Sequence, residues 1–434
     1  MKILLFLILP LALTLRADNA ALSLQNAWNM ALADNPSEEV ALARLQQAEA
    51  RYQQARSQYH PRLSVQATGT RVEYSDTQLL RAPGAPDSSE LYKTGLNATW
   101  LLWDNGTRKN RVAAGGLEAE AALSAQADSR ETLLAQVGRA FTAAQLARAN
   151  LRIAEADMEF QNRQLENSRR KEAAGMDSRT DRLNFEIRKL TSEDTAVQQS
   201  ANFEGAMAAL GALLGQEAGE PLTPPVDIDD EEFSLPDDQT DLNALWHQAQ
   251  TQLPILQQAR LQEEAARAAG ESVRGQFGPE LAAFGNVSAE REEDPAFSGG
   301  DMGNSVGLQL SWDLWDGQLR KQQVREADAR VREAAAQSRH VRLQAFAELQ
   351  QAFSDYTASL KSETLSATIL ERSQENRNLI DASYEAGRET LLRLNEAQRD
   401  FNNAETRYAT ARLQRQLSWI ELQKATGNLR AQVE

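Results

Sequence analysis

The chain has 434 residues, no Cys and a formal net charge of −16. That charge disfavours nucleic acid or anionic lipid as a broad partner surface, and the missing thiols exclude disulfides and thiolate metal sites. Two or three ordinary domains are expected at this length, but an internal duplication argues for two copies of one elongated unit.

Residues 1–17 read as a secretory signal: Met1-Lys2, an apolar run from Ile3 to Leu15, then Arg16-Ala17-Asp18. The run is too short to span a bilayer as a helix. Ala17 suits the position before a cleavage site, whereas Leu15 is larger than that site prefers, and the lack of a following Cys excludes a lipoprotein anchor. No later segment approaches about 18 consecutive apolar residues.

The first repeat covers 18–216 and the second 241–434. Leu24 to Pro61 is rich in Ala, Gln, Glu, Arg and Leu and reads as helix, as does its counterpart from Leu242 to Pro279. Leu24, Trp28, Pro36 and Pro61 recur as Leu242, Trp246, Pro254 and Pro279, at an offset of 218. Hairpins follow, over about 61–103 and 279–315. The interval from Pro61 to Trp100 is six residues longer than that from Pro279 to Trp312. It holds the loop from Arg81 to Ser89, matched by Glu292 to Asp301, and an insertion there fits a surface loop of a hairpin.

The strands flanking the loops alternate. Leu96, Ala98 and Trp100 share one face, with Asn97 and Thr99 on the other. In the second copy Val306, Leu308, Leu310, Trp312 and Leu314 oppose Gly307, Gln309, Ser311 and Asp313. Period 2 over roughly 10 residues, with aromatics at one end, fits a membrane strand with a wet lumen. Leu96, Trp100, Val306, Leu308, Leu310 and Trp312 are then lipid-facing, while Asn97 and Gln309 face the lumen. A soluble hairpin packed on a core is the alternative reading.

Each hairpin runs into a repeated seam. Trp100-Leu-Leu-Trp103-Asp104 with Arg108, Lys109 and Val112 recurs as Trp312-Asp-Leu-Trp315-Asp316 with Arg320, Lys321 and Val324, at an offset of 212. Long Ala-rich helices without Pro then reach Gly175 and Gly387. The first keeps heptad spacing with alternating large and small seam residues, as a coiled coil does, and the second carries Phe346, Leu349, Phe353, Tyr356 and Leu360 on one stripe. Both turn at glycine and continue as a further helix that closes at Gly215 or Gly427. Residues 217–240, rich in Pro and acid, form a linker or wrapping segment. Residues 107–174 span about 100 Å as helix, and 24–60 and 182–215 about half that each, so two short helices end to end match one long helix.

The sequence shows no catalytic constellation. His60, His247 and His340 lack metal-ligand spacing. The acidic run from Asp227 has Glu232 where a calcium loop requires Gly. Gly211 and Gly215 fit a helix cap, and the absence of a Walker motif leaves any transport energy to partners. No enzyme activity, cofactor or metal is expected.

The duplicated helix–hairpin–helix–helix order, the switches at Pro61 and Pro279, the Leu-Trp-Asp strand ends, the Tyr384–Gly387 turn and the Glu421–Gly427 ending together resemble the TolC family of outer-membrane efflux proteins. The resemblance covers the whole mature chain. It implies a mainly α fold with a membrane β-barrel portion: a homotrimer whose 12-stranded barrel in outer-membrane lipid continues into a 12-helix α-barrel crossing the periplasm of a Gram-negative bacterium. It further implies a passive exit duct docked to a periplasmic adaptor and an inner-membrane pump or type I secretion ABC transporter. The rival readings are a soluble periplasmic coiled-coil adaptor, which would not need apolar strand faces, and a lone diffusion porin, which would lack the long helices.

By the same resemblance, Thr180, Asp181 and Tyr384 fall on positions that latch the helices shut, and Glu396 on a pore-narrowing carboxylate. Arg393 occupies a second carboxylate position and Glu389 a latch Arg position, departures from the family pattern. Gly175, Met176, Gly387 and Arg388 form the expected adaptor-docking tip. Since Arg393 and Asp181 are repeat-equivalent, an ion pair between neighbouring hairpins is expected in place of the family's partners; an exposed charge face is the alternative.

Overall fold

The computed structural model describes residues 21–75, 88–175, 178–217, 222–225 and 241–432. The signal segment, most of the first hairpin loop, Met176 and most of the acidic linker lie outside the described residues.

In order, the chain forms α1 (Leu24–Asp34), α2 (Pro36–Ser57), β1 (Arg62–Glu73), β2 (Ser88–Trp103), α3 (Thr107–Ala173) and α4 (Arg179–Leu213). The second repeat gives α5 (Leu242–Gln252), α6 (Pro254–Gly275), β3 (Glu280–Glu292), β4 (Met302–Ser311), α7 (Leu319–Glu385) and α8 (Leu391–Thr426). Proline sets the breaks between the short helices. Pro36 and Pro254 cannot continue a preceding helix but suit the first turn of a new one. Among the described residues no helix is long and apolar enough to cross a membrane.

The chain divides into two compact units that each draw on both repeats: residues 1–38, 129–252 and 347–434, and residues 39–128 and 253–346. In the first unit, every helix or strand assigned among the described residues is a helix, apart from an isolated bridge between Leu22 and Pro225. Its core joins Leu24, Trp28, Leu134, Phe141, Leu210, Leu349 and Ile420, all buried. Trp28 donates its indole N–H to the Leu134 carbonyl at 2.9 Å, so its polar atom is satisfied inside the core. A Cβ on Gly138 would lie 2.9 Å from Ile420, so α3 and α8 approach there as closely as glycine permits. Buried Glu131 pairs with Arg430 at 3.1 Å, and burial nevertheless raises its pKa.

The second unit holds a four-stranded antiparallel sheet in the order β1-β2-β3-β4. Arg62 pairs with Thr99 in the first hairpin and Glu280 with Ser311 in the second. Those pairs interconvert under the offsets of 218 and 212, so the duplication is exact in register as well as in sequence. Trp100 pairs with Ala283, which joins the hairpins through β2 and β3. One row across all four strands reads Leu63, Ala98, Gly285, Val306, and the adjacent row reads Ser64, Asn97, Asn286, Ser305. The expected alternation therefore runs through the whole sheet. Phe284 lies on the polar face, over Gly307, where a Cβ would clash at 2.7 Å.

One boundary differs from expectation. β4 ends at Ser311, so Trp312 and Leu314 lie beyond the strand. The equivalent part of β2 is held by β3, as in the Trp103–Leu281 pair. β3 begins at Glu280 opposite Ser311 and has nothing left to offer residues 312–315. A strand extends only as far as its partner.

Candidate functional site

Two regions carry the residues singled out by sequence: the helix reversals of the first unit and the sheet with its helix junctions in the second.

Both reversals are built alike. Gly175 and Gly387 adopt left-handed φ of +70° and +71°, a conformation glycine enters without a Cβ penalty. Arg388 N–H bonds back to the Ser383 carbonyl at 2.9 Å, closing a Schellman-type cap. The next helix starts on a hydroxyl cap each time: Ser178 accepts from Asp181 N–H and Thr390 from Arg393 N–H. Gly175, Gly387 and Arg388 are exposed, as is Thr180.

Asp181 accepts the Ser178 hydroxyl at 2.7 Å, which commits one carboxylate oxygen to the α4 cap. Arg393 and Glu396 are exposed on the first turns of α8, and no ion pair joins Arg393 to Asp181. Tyr384 instead lies beneath the Lys171 ammonium, 4.6 Å from its ring centroid.

The polar contacts that do form were not singled out from sequence. At the first reversal Arg182 bridges Glu172 at 2.7 Å and Glu186 at 3.1 Å. Farther along α3, Asp157 accepts from Gln398 at 3.1 Å and Asn402 at 2.8 Å, tying α3 to α8. These two residues, with Gln161, Arg188 and Glu396, line a cleft of about 620 Å³. Nearby Glu405 has its pKa raised, chiefly by burial, against the opposing influence of Arg152 and Arg377. The i,i+4 spacing of Arg182 and Glu186 was a readable signal. The Asp157 contacts cross more than 200 residues, and periodicity carries no trace of them.

In the second unit the repeated Trp-Asp-Arg motif resolves into a knot between helix and strand. Trp100 donates its indole N–H to the Tyr59 carbonyl at 2.8 Å, and Trp312 to the Phe277 carbonyl at 3.0 Å. Each indole thus keeps an exposed ring with a satisfied polar edge, the placement that favours Trp where apolar and wet surroundings meet. Arg108 bonds the Asp104 carboxylate at 2.9 Å and the Gln58 and Leu101 carbonyls, and its guanidinium stacks 5.0 Å from the Tyr59 ring. Arg320 repeats this with Asp316 at 2.6 Å, Gln276, Asp313 and the Phe277 ring. Leu96, Val306, Leu308 and Leu310 are exposed on the apolar sheet face.

A duplicated chain with long helices and a four-stranded sheet that is apolar on one face and polar on the other has the pattern that a membrane-embedded barrel with a wet lumen requires. The family described as outer membrane efflux protein matches residues 27–216 and 245–428, and the chain belongs to that family. Protein CyaE of Bordetella pertussis is 26% identical over 420 residues, covering 94% of this chain and 84% of that protein. Among solved structures, the Campylobacter jejuni CmeC outer membrane channel aligns with a TM-score of 0.82 at 16% identity, over 93% of this chain and 85% of that one. The outer membrane protein VceC of Vibrio cholerae aligns at 0.79 with 20% identity, over 93% and 96%. Its family places the protein in the outer membrane and in efflux.

Proposed function

We propose that three copies assemble into one passive exit duct. The observation that carries this reading is the sheet: four strands, apolar on one face and polar on the other, with β1 and β4 each lacking a second partner among the described residues. Lipid supplies no hydrogen bonds to such edges, so the sheet must close. Three copies of four strands give a 12-stranded barrel, with Leu96, Trp100, Val306, Leu308, Leu310 and Trp312 toward lipid and Asn97 and Gln309 toward a polar lumen. The long helices of three copies form the α-barrel across the periplasm.

In this reading the segments Gly175-Met176 and Gly387-Arg388 meet a periplasmic adaptor that couples the duct to an inner-membrane pump or ABC transporter. Thr180, Asp181, Tyr384, Arg393 and Glu396 surround the closed mouth. Threefold symmetry makes Glu396 a ring of three carboxylates, which favours cations. Any Asp181–Arg393 latch joins neighbouring hairpins, since neither residue reaches the other within one chain.

Membrane fractionation with gel migration before and after heating tests the reading. The expected result is an outer-membrane species whose migration changes on heating. Recovery as a soluble periplasmic protein would support the coiled-coil adaptor instead. Gly387→Trp should leave assembly intact and abolish export; normal export would remove the reversal from the docking surface.

A further inference from the structure

Phe284 is out of place on the polar face of the sheet. It pairs with Thr99 on one side and Gly307 on the other, and Asn97, Asn286 and Ser305 form the next row of that face. An aromatic side chain contributes most where it is buried, yet this ring is 37% exposed. Gly307 explains its posture. A Cβ there would lie 2.7 Å from Cζ and 3.0 Å from Cε1 of Phe284, so the far edge of the ring reaches across the strand gap and rests over the glycine. A ring that lies down on the next strand hides one face against the sheet and turns the other outward.

Covering a glycine is a structural service that aromatics perform in sheets, and it accounts for the hidden face alone. The outward face carries the negative pole of the ring quadrupole, which attracts organic cations, quaternary ammonium groups above all. Nothing charged stands beside it. Thr99, Asn97, Asn286 and Ser305 are neutral, and Asn286 donates its side-chain N–H to Asn97. The charged positions of that face are farther off: Arg62 lies two strands away, Glu280 four residues back along β3, and Lys93 is paired with Glu290 at 3.1 Å. We propose that the outward face of Phe284 is a contact site for organic cations passing through the barrel, and so biases which cargo the duct carries. This rests on the reading of the polar face as a lumen and adds a ligand class to it. One ring at an exposed site contributes a factor of about 2–5 in affinity, a weak contact that suits a conduit which must release what it meets.

The chain has no native Cys, so one engineered thiol reports alone. Ser305→Cys lies one row from the ring on the polar face, and Val306→Cys is its neighbour on the apolar face. The full-length protein in membranes is treated with a membrane-impermeant, anionic methanethiosulfonate. Modification rates are compared in tetraethylammonium and in sodium at equal ionic strength. Ser305→Cys should react and Val306→Cys should not, and tetraethylammonium should slow the reaction at Ser305→Cys more than sodium does. Adding Phe284→Leu keeps the apolar bulk but removes the ring face, and should weaken this protection about 2–5-fold. Phe284→Tyr keeps the ring and should retain it. Absence of protection with Phe284 in place overturns the cation site whatever the variants do, as does equal protection in Phe284→Leu; in both cases a reactive Ser305→Cys leaves the lumen standing. An unreactive Ser305→Cys overturns the lumen and the site together.

Discussion

The two helix–strand junctions share a motif, a hydrogen-bond pattern and an aromatic platform, yet differ in burial. The Asp104 and Arg108 side chains are each 7% exposed, against 23% and 15% for Asp316 and Arg320. The first junction is covered by the end of α6: Asn105 donates to the Gly275 carbonyl at 3.2 Å and Ser272 to that of Thr107 at 2.9 Å. The second has no such cover, and Leu314, Trp315 and Leu319 are exposed. Repeat equivalence assigns its missing cover to the end of α2. Two copies that make the same bonds but differ in burial are what the proposed assembly of several copies would require.

The largest expected effect comes from cutting the buried copy. Arg108→Ala leaves Asp104 buried and without its guanidinium, and should cost about 3 kcal/mol. Arg320→Ala in an unassembled chain should cost about 1 kcal/mol or less, rising toward the first value once copies assemble. Denaturant unfolding of unassembled and assembled protein in detergent checks both. Equal costs in the unassembled chain would break the comparison.

The helix reversals sharpen it in another way. Leu394 is fully buried where its repeat-equivalent Arg182 forms an ion pair with Glu172. Leu394→Ala should cost about 2–3 kcal/mol and Arg182→Ala under about 1 kcal/mol, as thermal unfolding would show. At the junctions, a Cβ on Gly275 would meet Thr107 Oγ1 at 2.6 Å and its backbone nitrogen at 3.0 Å. Gly275→Ala should therefore cost about 1–3 kcal/mol, whereas Ser57→Ala at the equivalent position should be neutral in the unassembled chain.

The smallest effect is a pH dependence. Burial raises the pKa of Glu405, so the folded state favours its protonated form. That contribution is fully present below the ordinary carboxylate range and is lost as pH rises through the raised pKa. Glu405→Gln should flatten this part of the stability profile and raise the melting temperature near pH 7 relative to the parent. An unchanged profile would place Glu405 in water.

Much of this was legible in the residues. The offsets of 212 and 218 anticipated the hairpin registers, because turns, prolines and alternation fix where strands start and which way they face. The glycine reversals at Gly175 and Gly387 were readable for the same local reason. The end of β4 was not, since Trp312 and Leu314 continue the alternation and only the partner strand decides where pairing stops. Nor was the function of Arg108 and Arg320 within the motif, because their carbonyl partners at Gln58 and Gln276 lie far back along the chain. The bond from the Ser178 hydroxyl to the Asp181 carboxylate was likewise not legible, because the repeat offset that singles out Asp181 says nothing of its neighbours in the helix cap.

The most direct test of the channel assignment is conductance of the purified protein in a planar lipid bilayer. A species of three-chain mass should give discrete openings that favour cations, and Glu396→Gln should weaken that preference. A protein that remains a soluble monomer and conducts no current would contradict the account.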